Sequence, residues 1–216
     1  WEHAPPRAFF PHPQLGYKGP SGKNYRQGLI SVPSCQTHNG DKSQDDNFVQ
    51  SMIALFAAAY AGRFSEREDN PFLIKLKNRL HSHPRMQKVM REKETVQTPE
   101  GPMVALRPEV GVIMDNVELI ARALYFHEHS YQKRWPNLCQ ITSPHFDFGM
   151  TPAGPEIVRV LQWFRGLEKA KFMGSELKGP HPEIFAYQLL EAPERTVMRM
   201  TFYETFELLA ISGIRG

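Results

Sequence analysis

The tail of the chain constrains the fold most. Three β-prone runs, "EIFAYQLLE" (183–191), "TVMRMTFYE" (196–204) and "FELLAISG" (206–213), follow one another closely. Turn residues separate the first two, and the spacing is close to that of an antiparallel meander. "NLCQITS" (137–143) reads as a further strand. Two helical patterns accompany them. From Val110 to about Tyr131 the residues Val110, Ile113, Met114, Val117, Ala121 and Leu124 keep helical spacing. "GPEIVRVLQWFRGLEKA" (154–170) is amphipathic, with Pro155 in its first turn. Phe146, Phe148, Trp163 and Phe164 read as core. These patterns specify an α+β class with a C-terminal antiparallel sheet plus helices. There is no internal repeat and no low-complexity tract.

The 216 residues suffice for a sizeable core, and 41% hydrophobic with 23% charged residues is ordinary for a soluble globular chain. No apolar run is long enough to cross a bilayer, which argues against a membrane partner. Two cysteines, Cys35 and Cys139, make no disulfide framework, so a reducing, cytoplasmic setting is expected. A net charge of +3 permits a nucleic-acid partner without requiring one.

The first half reads differently. Residues 1–30, rich in Pro, Gly and basic side chains, predict a long loop with little regular structure. "LISVP" (29–33) predicts a short edge strand ended by Pro33, and "SCQTHNGDK" (34–42) a knuckle-like turn. Ser43 has the position of an N-cap, with Asp46 three residues on. The helix it would open presents Phe48, Met52, Leu55, Phe56 and Ala59 on one face and stops at Gly62. A basic helical stretch follows from Asn70 to about Lys93, broken near Pro84. "VQTPEGPMVALRP" (96–108) predicts a hairpin or a strand after a turn. The divisions this suggests are 1–65, 66–95 and 96–216, with a boundary near 95–108.

One constellation carries chemistry. "EHAPPRAFF" (2–10), "LISVPSCQTHN" (29–39) and "SQDD" (43–46) occur in that order. They resemble a bacterial branch of the HNH endonuclease (His-Me finger) family, whose pattern is E-H-x-P-P-[RK]-x-[LF]-F, then L-I-[ST]-V-P-S-C-x-x-C-N, then S-x-D-[DE]. The match covers residues 2–46. It implies a ββα-metal finger at residues 1–65 and a metal-dependent endonuclease acting on nucleic acid, DNA ahead of RNA. It also implies roles. His3 is the general base, Glu2 a metal ligand, and Asn39 a catalytic metal ligand or loop clamp. The family often places a His inside the following helix as its last metal-side ligand; here Asp45 and Asp46 are the nearby candidates. The catalytic ion would be Mg2+, Mn2+ or Zn2+.

The chain departs from that pattern in two ways. The second knuckle cysteine is His38, so Cys35 and His38 form only half of a structural zinc site. The family's C-x-x-C pair upstream of Glu-His lies outside this sequence, and so does the strand expected to position Glu2 and His3. The finger is therefore expected to be incomplete and the Glu2–His3 pair frayed.

The chemistry suits the residue types. Phosphodiester hydrolysis needs an activated water and neutralised phosphate oxygens. A neutral imidazole is a good base near neutral pH, and hard divalent ions prefer oxygen ligands. Arg7, Lys18, Lys23, Arg26, Lys42, Lys75 and Lys88 are the candidate nucleic-acid contacts. A solvated basic face is the plainer reading of residues 75–93. "FHEHS" (126–130) places its histidines two apart, not the four of a metalloprotease helix, so it reads as a helix end. The competing overall function is a non-catalytic nucleic-acid-binding or interaction module derived from such a finger.

Overall fold

The computed structural model describes residues 1–12, 23–34, 42–60, 71–98, 101–135, 139–143, 172–193 and 195–212. Its architecture is mixed α+β. The first strand, β1 (Glu2–His3), pairs antiparallel with β2 (Ser31–Val32). Helices α1 (Lys42–Tyr60), α2 (Pro71–Ser82) and α3 (Pro84–Arg91) follow. Next come the hairpin β3 (Glu94–Thr98) and β4 (Gly101–Ala105), then helix α4 (Val110–Glu128). Strands β5 (Cys139–Thr142), β6 (Lys178–His181), β7 (Phe185–Ala192), β8 (Arg195–Phe202) and β9 (Phe206–Ser212) make one antiparallel sheet in the order β5-β9-β8-β7-β6.

The meander expected in the tail is β7-β8-β9, but its hydrophobic pattern is not strictly alternating. The register explains why. Met198 faces Ala210, Met200 faces Leu208 and Phe202 faces Phe206, and these side chains join the main core. The intervening Val197, Leu209 and Ile211 pack on Phe172 on the opposite face. Successive strand residues point to opposite faces, so a sheet covered on both sides is apolar at both.

Helix α1 is buried more widely than a single face. Phe48, Val49, Met52, Ile53, Leu55, Phe56 and Ala57 are all at or below 8% exposed. "MIALFAAA" leaves no polar stripe, and a helix apolar all round belongs inside. Ala59, expected on the core face, is exposed. The helix begins at Lys42, so Ser43 lies in its first turn and does not precede it as a cap. Around α1 pack α2, α3, α4 and the faces of β8 and β9. Burying one such Met, Ile or Phe side chain contributes about 1.5–3 kcal/mol. Pro84 divides the basic segment into two helices by occupying the first position of α3.

Two further expectations change. The helix predicted to reach Tyr131 ends at Glu128, and Ser130 and Tyr131 then take left-handed backbone angles (φ 53° and 65°). Residues 1–30 are not loop throughout, because β1 and a 3-10 turn at Arg7–Phe9 lie among them. The helix expected at 154–170, with Phe146, Phe148, Trp163 and Phe164, falls outside the described residues.

Candidate functional site

A two-residue ladder is marginal by itself, so other contacts must hold β1. Its pairing sets Glu2 opposite Val32 and His3 opposite Ser31, and the Ala4 amide adds a bond to the Ile30 carbonyl at 3.0 Å. Downstream, Phe9 and Phe10 are 1% and 0% exposed. Phe9 packs on Phe202 with centroids 5.3 Å apart, and Phe10 meets His181 edge-on at 5.9 Å. The Tyr203 hydroxyl donates to the Phe9 carbonyl (3.2 Å), and Arg26 Nε donates to the Phe10 carbonyl (3.3 Å). The aromatic pair of "PPRAFF" thus anchors the Glu-His strand to the C-terminal sheet. The expected fraying of Glu2–His3 is therefore not what the fold shows: both are half-buried and paired.

His3 Nδ1 lies 2.9 Å from Ser31 Oγ, and Ser31 Oγ lies 3.5 Å from the Leu29 carbonyl. When the hydroxyl donates to that carbonyl it accepts from the ring. Nδ1 then carries the proton, and the lone pair sits on Nε2. Burial holds the His3 pKa below its ordinary 6.5, and the nearby Arg7 charge pushes the same way. The Ile30 carbonyl and Glu2 oppose the shift without cancelling it. The ring is neutral at pH 7, the form a base requires.

The His3 strand is also tethered from the far side of the fold. The Tyr131 hydroxyl donates to the Ser31 carbonyl (3.3 Å), and His127 Nδ1 lies 3.2 Å from that hydroxyl. The left-handed Ser130 and Tyr131 bring this side chain back over β2. Non-glycine residues adopt such angles at a cost that the surroundings must offset.

Between β1–β2 and α4 lies an open pocket of about 700 Å3, lined by Glu2, His3, Asp45, Asp115 and Asn116 among others. Glu2, His3 and Asp45 therefore share one pocket across the β-β-α order. Glu2 and Asp45 are carboxylates, the type of hard oxygen donor that Mg2+-class ions prefer. Among the described residues no three His, Cys, Asp or Glu side chains converge as a metal site, so those residues alone do not assemble one. Asp45 is instead ion-paired with Arg85, which also approaches Glu109 (3.7 Å) and the Phe48 ring (5.6 Å). Asp46 is half-buried on the same turn. Asn39, Cys35, His38 and Lys18 lie outside the described residues.

The basic candidates divide. Arg7 is exposed beside His3. Lys23 pairs with Glu183 at 2.8 Å. Lys88 is exposed on α3, Lys42 opens α1 and Lys75 lies in α2. Two members of the basic stretch turn inward. Arg85 is spent on Asp45, and Arg79 donates to Asn47, Gln50 and Ser51 of α1. Burial lowers the Arg79 pKa, and the Arg26 charge lowers it further. Cys139 is a half-buried thiol whose partial burial pushes its pKa up to about 12, which makes it a poor nucleophile.

Sequence reasoning missed Ser31, Tyr131, Asn116 and Trp135. Ser31 was visible only as part of a strand, and Tyr131 as the end of a helix. Nothing in their spacing points to His3. No protein-family model, curated protein or solved structure matches the chain.

Proposed function

We propose that the chain hydrolyses phosphodiester bonds of nucleic acid, DNA ahead of RNA, in the manner of an HNH finger. The observation that carries the reading is the placement of His3. It lies on a strand paired with β2 ahead of α1, with Nδ1 held by Ser31 and its ring at an open pocket. His3 Nε2 takes a proton from water as the water oxygen bonds to phosphorus. The P–O bond to the leaving oxygen breaks, and that oxygen leaves with a proton from solvent. Arg7 lies close enough to His3, and Arg26 to Arg7, for their charges to be felt, which suits a phosphate backbone passing the site. A divalent ion held by Glu2 with Asn39 would supply Lewis acidity to the phosphate. The test is plasmid cleavage with added Mg2+ or Mn2+. His3→Ala should lose about 100- to 10,000-fold in rate, the usual share of a general base, and equal cleavage by the variant rejects the reading.

The engagement of Asp45 by Arg85 favours a second reading, a finger-derived module that binds nucleic acid without turnover. Salt-sensitive binding with no metal-dependent cleavage is the result that selects it.

A further inference from the structure

Among the described residues the hairpin β3–β4 is the element with least support from the rest of the fold. Its register runs from Glu94↔Ala105 to Thr98↔Gly101, and no third strand joins it. Neither strand packs on a helix or on the five-stranded sheet to a comparable extent. Both faces are open to solvent. Val96 is 46% exposed on one face, and Val104, opposite Thr95, is 62% exposed on the other. Glu94, Thr95 and Gln97 are exposed as well. A lone two-stranded hairpin is marginal in water, so a further strand would stabilise it.

The two outer edges differ. An antiparallel ladder alternates between pairs that exchange two hydrogen bonds and pairs that exchange none. Pro102 has no N–H, so its pair with Gln97 is of the second kind, and so is Thr95↔Val104 two residues on. The amides and carbonyls of Thr95 and Gln97 therefore point away from β4, along an edge that has no proline. The β4 edge offers the Val104 amide but only a carbonyl at Pro102, and proline is a common guard of exposed edges. One edge is guarded and the other is open. The open edge is also nearly uncharged. From Glu94 to Leu106 there is no Lys or Arg, so it holds no cation for a nucleic-acid backbone. Glu94 itself is ion-paired with Arg107 at 3.1 Å.

We propose that β3 pairs antiparallel with β3 of a second copy of this chain, about a two-fold axis through Val96. Thr95 then lies opposite Gln97 of the second copy and Gln97 opposite its Thr95, and these pairs exchange the outward hydrogen bonds. The two Val96 residues meet across the axis as a non-bonded pair, where side chains come closest. Glu94 falls opposite Thr98 of the second copy, so no like charges meet. The edge is thus complementary to itself in register and in charge, which an unrelated strand is not. The product is a four-stranded sheet, β4-β3-β3-β4, with Pro102 on both outer strands. Each copy uses its open edge, so assembly stops at two. One short strand per copy makes a contact smaller than a standard interface of about 1,600 Å2, so the dimer is weak and concentration-dependent. The pairing is independent of the hydrolytic reading, and it puts two copies of the His3 pocket in one particle.

Sedimentation velocity of the full chain over about 1 μM to 1 mM, the range of weak association, should show a monomer–dimer equilibrium. Gln97→Pro deletes an outward N–H on each copy and leaves the bonds to β4 intact. Dimerisation should weaken by about tenfold or more, while the melting temperature of the monomer holds. Val104→Pro makes the same change on the β4 edge and should dimerise as the parent does. Val96→Cys tests the axis without removing a hydrogen bond. Facing residues of a non-bonded pair stand about 4.5 Å apart at Cα, within disulfide reach. Mild oxidation should link two Val96→Cys chains, and Val104→Cys should give no more than the background of the parent, which has its own Cys35 and Cys139. A chain that stays monomeric, assemblies larger than two, a dimer undiminished by Gln97→Pro, or no crosslink in Val96→Cys each overturns the proposal.

Discussion

The C-terminal sheet and the ladder that carries His3 are both antiparallel, yet they are held by different means. Strands β7 and β8 share eight residue pairs from Phe185↔Phe202 to Ala192↔Arg195, and side chains on both faces are buried. Strands β1 and β2 share two pairs. The short ladder persists because Phe9 and Phe10 sink into the sheet's core and because Ser31 is bonded by Tyr131. The long element carries the cohesion, and the short one borrows it. A site so built can be disturbed with little loss of stability, whereas loss of the core removes both.

The largest expected effect tests that dependence. Phe202→Ala empties a position that touches Phe9 and Phe185 and should cost about 3–5 kcal/mol. Urea denaturation should show one transition, with signals from β1 and β8 lost together; separate melting of β1 would break the comparison.

His3→Ala should act the opposite way, lowering cleavage by about 100- to 10,000-fold with an unfolding midpoint close to the parent's. The pH dependence sharpens this. With its folded pKa below 6.5, His3 is neutral in both states above pH 6.5 and adds no slope there. As pH falls through 6.5 the unfolded chain takes up the proton first, so stability declines until the folded ring titrates as well. Cleavage should rise with pH with a midpoint under 6.5, and His3→Gln should flatten the stability slope.

Arg79→Met removes the donor shared by Asn47, Gln50 and Ser51. A cost of about 1–3 kcal/mol is expected, read from the urea midpoint, with cleavage retained under native conditions. The smallest effect is that of Tyr131→Phe, which deletes the bond to the Ser31 carbonyl and should cost about 0.5–1.5 kcal/mol. Cleavage should fall less than in His3→Ala; an unchanged rate would mean the tether does not position His3.

Much of the scaffold was legible because it repeats. The run from Val110 to Leu124 has a helical period, Pro84 marks a break, and β7 to β9 are long enough to show their type. The site was legible only as residue types in order. Glu2 and His3 form a strand of two residues, too short to have a period. Strand β6 reads "KGPH", with the Gly and Pro that usually argue against a strand. Gly179 there has φ 133°, and a Cβ would stand 2.6 Å from the Phe185 carbonyl oxygen. Arg79 and Arg85 look like solvated charges in one dimension, and only the proximity of α1 shows what they bind. The tether from Tyr131 to Ser31 spans a separation of 100 residues, which no local pattern encodes.

That separation sets an order of events during synthesis. The residues proposed for chemistry are made first, but the wall of their pocket comes from residues 115–135. A nascent chain that has emerged only through α1 carries His3 without the wall or the Tyr131 tether. The cavity beside His3 is thus a late product of translation, completed only when α4 docks.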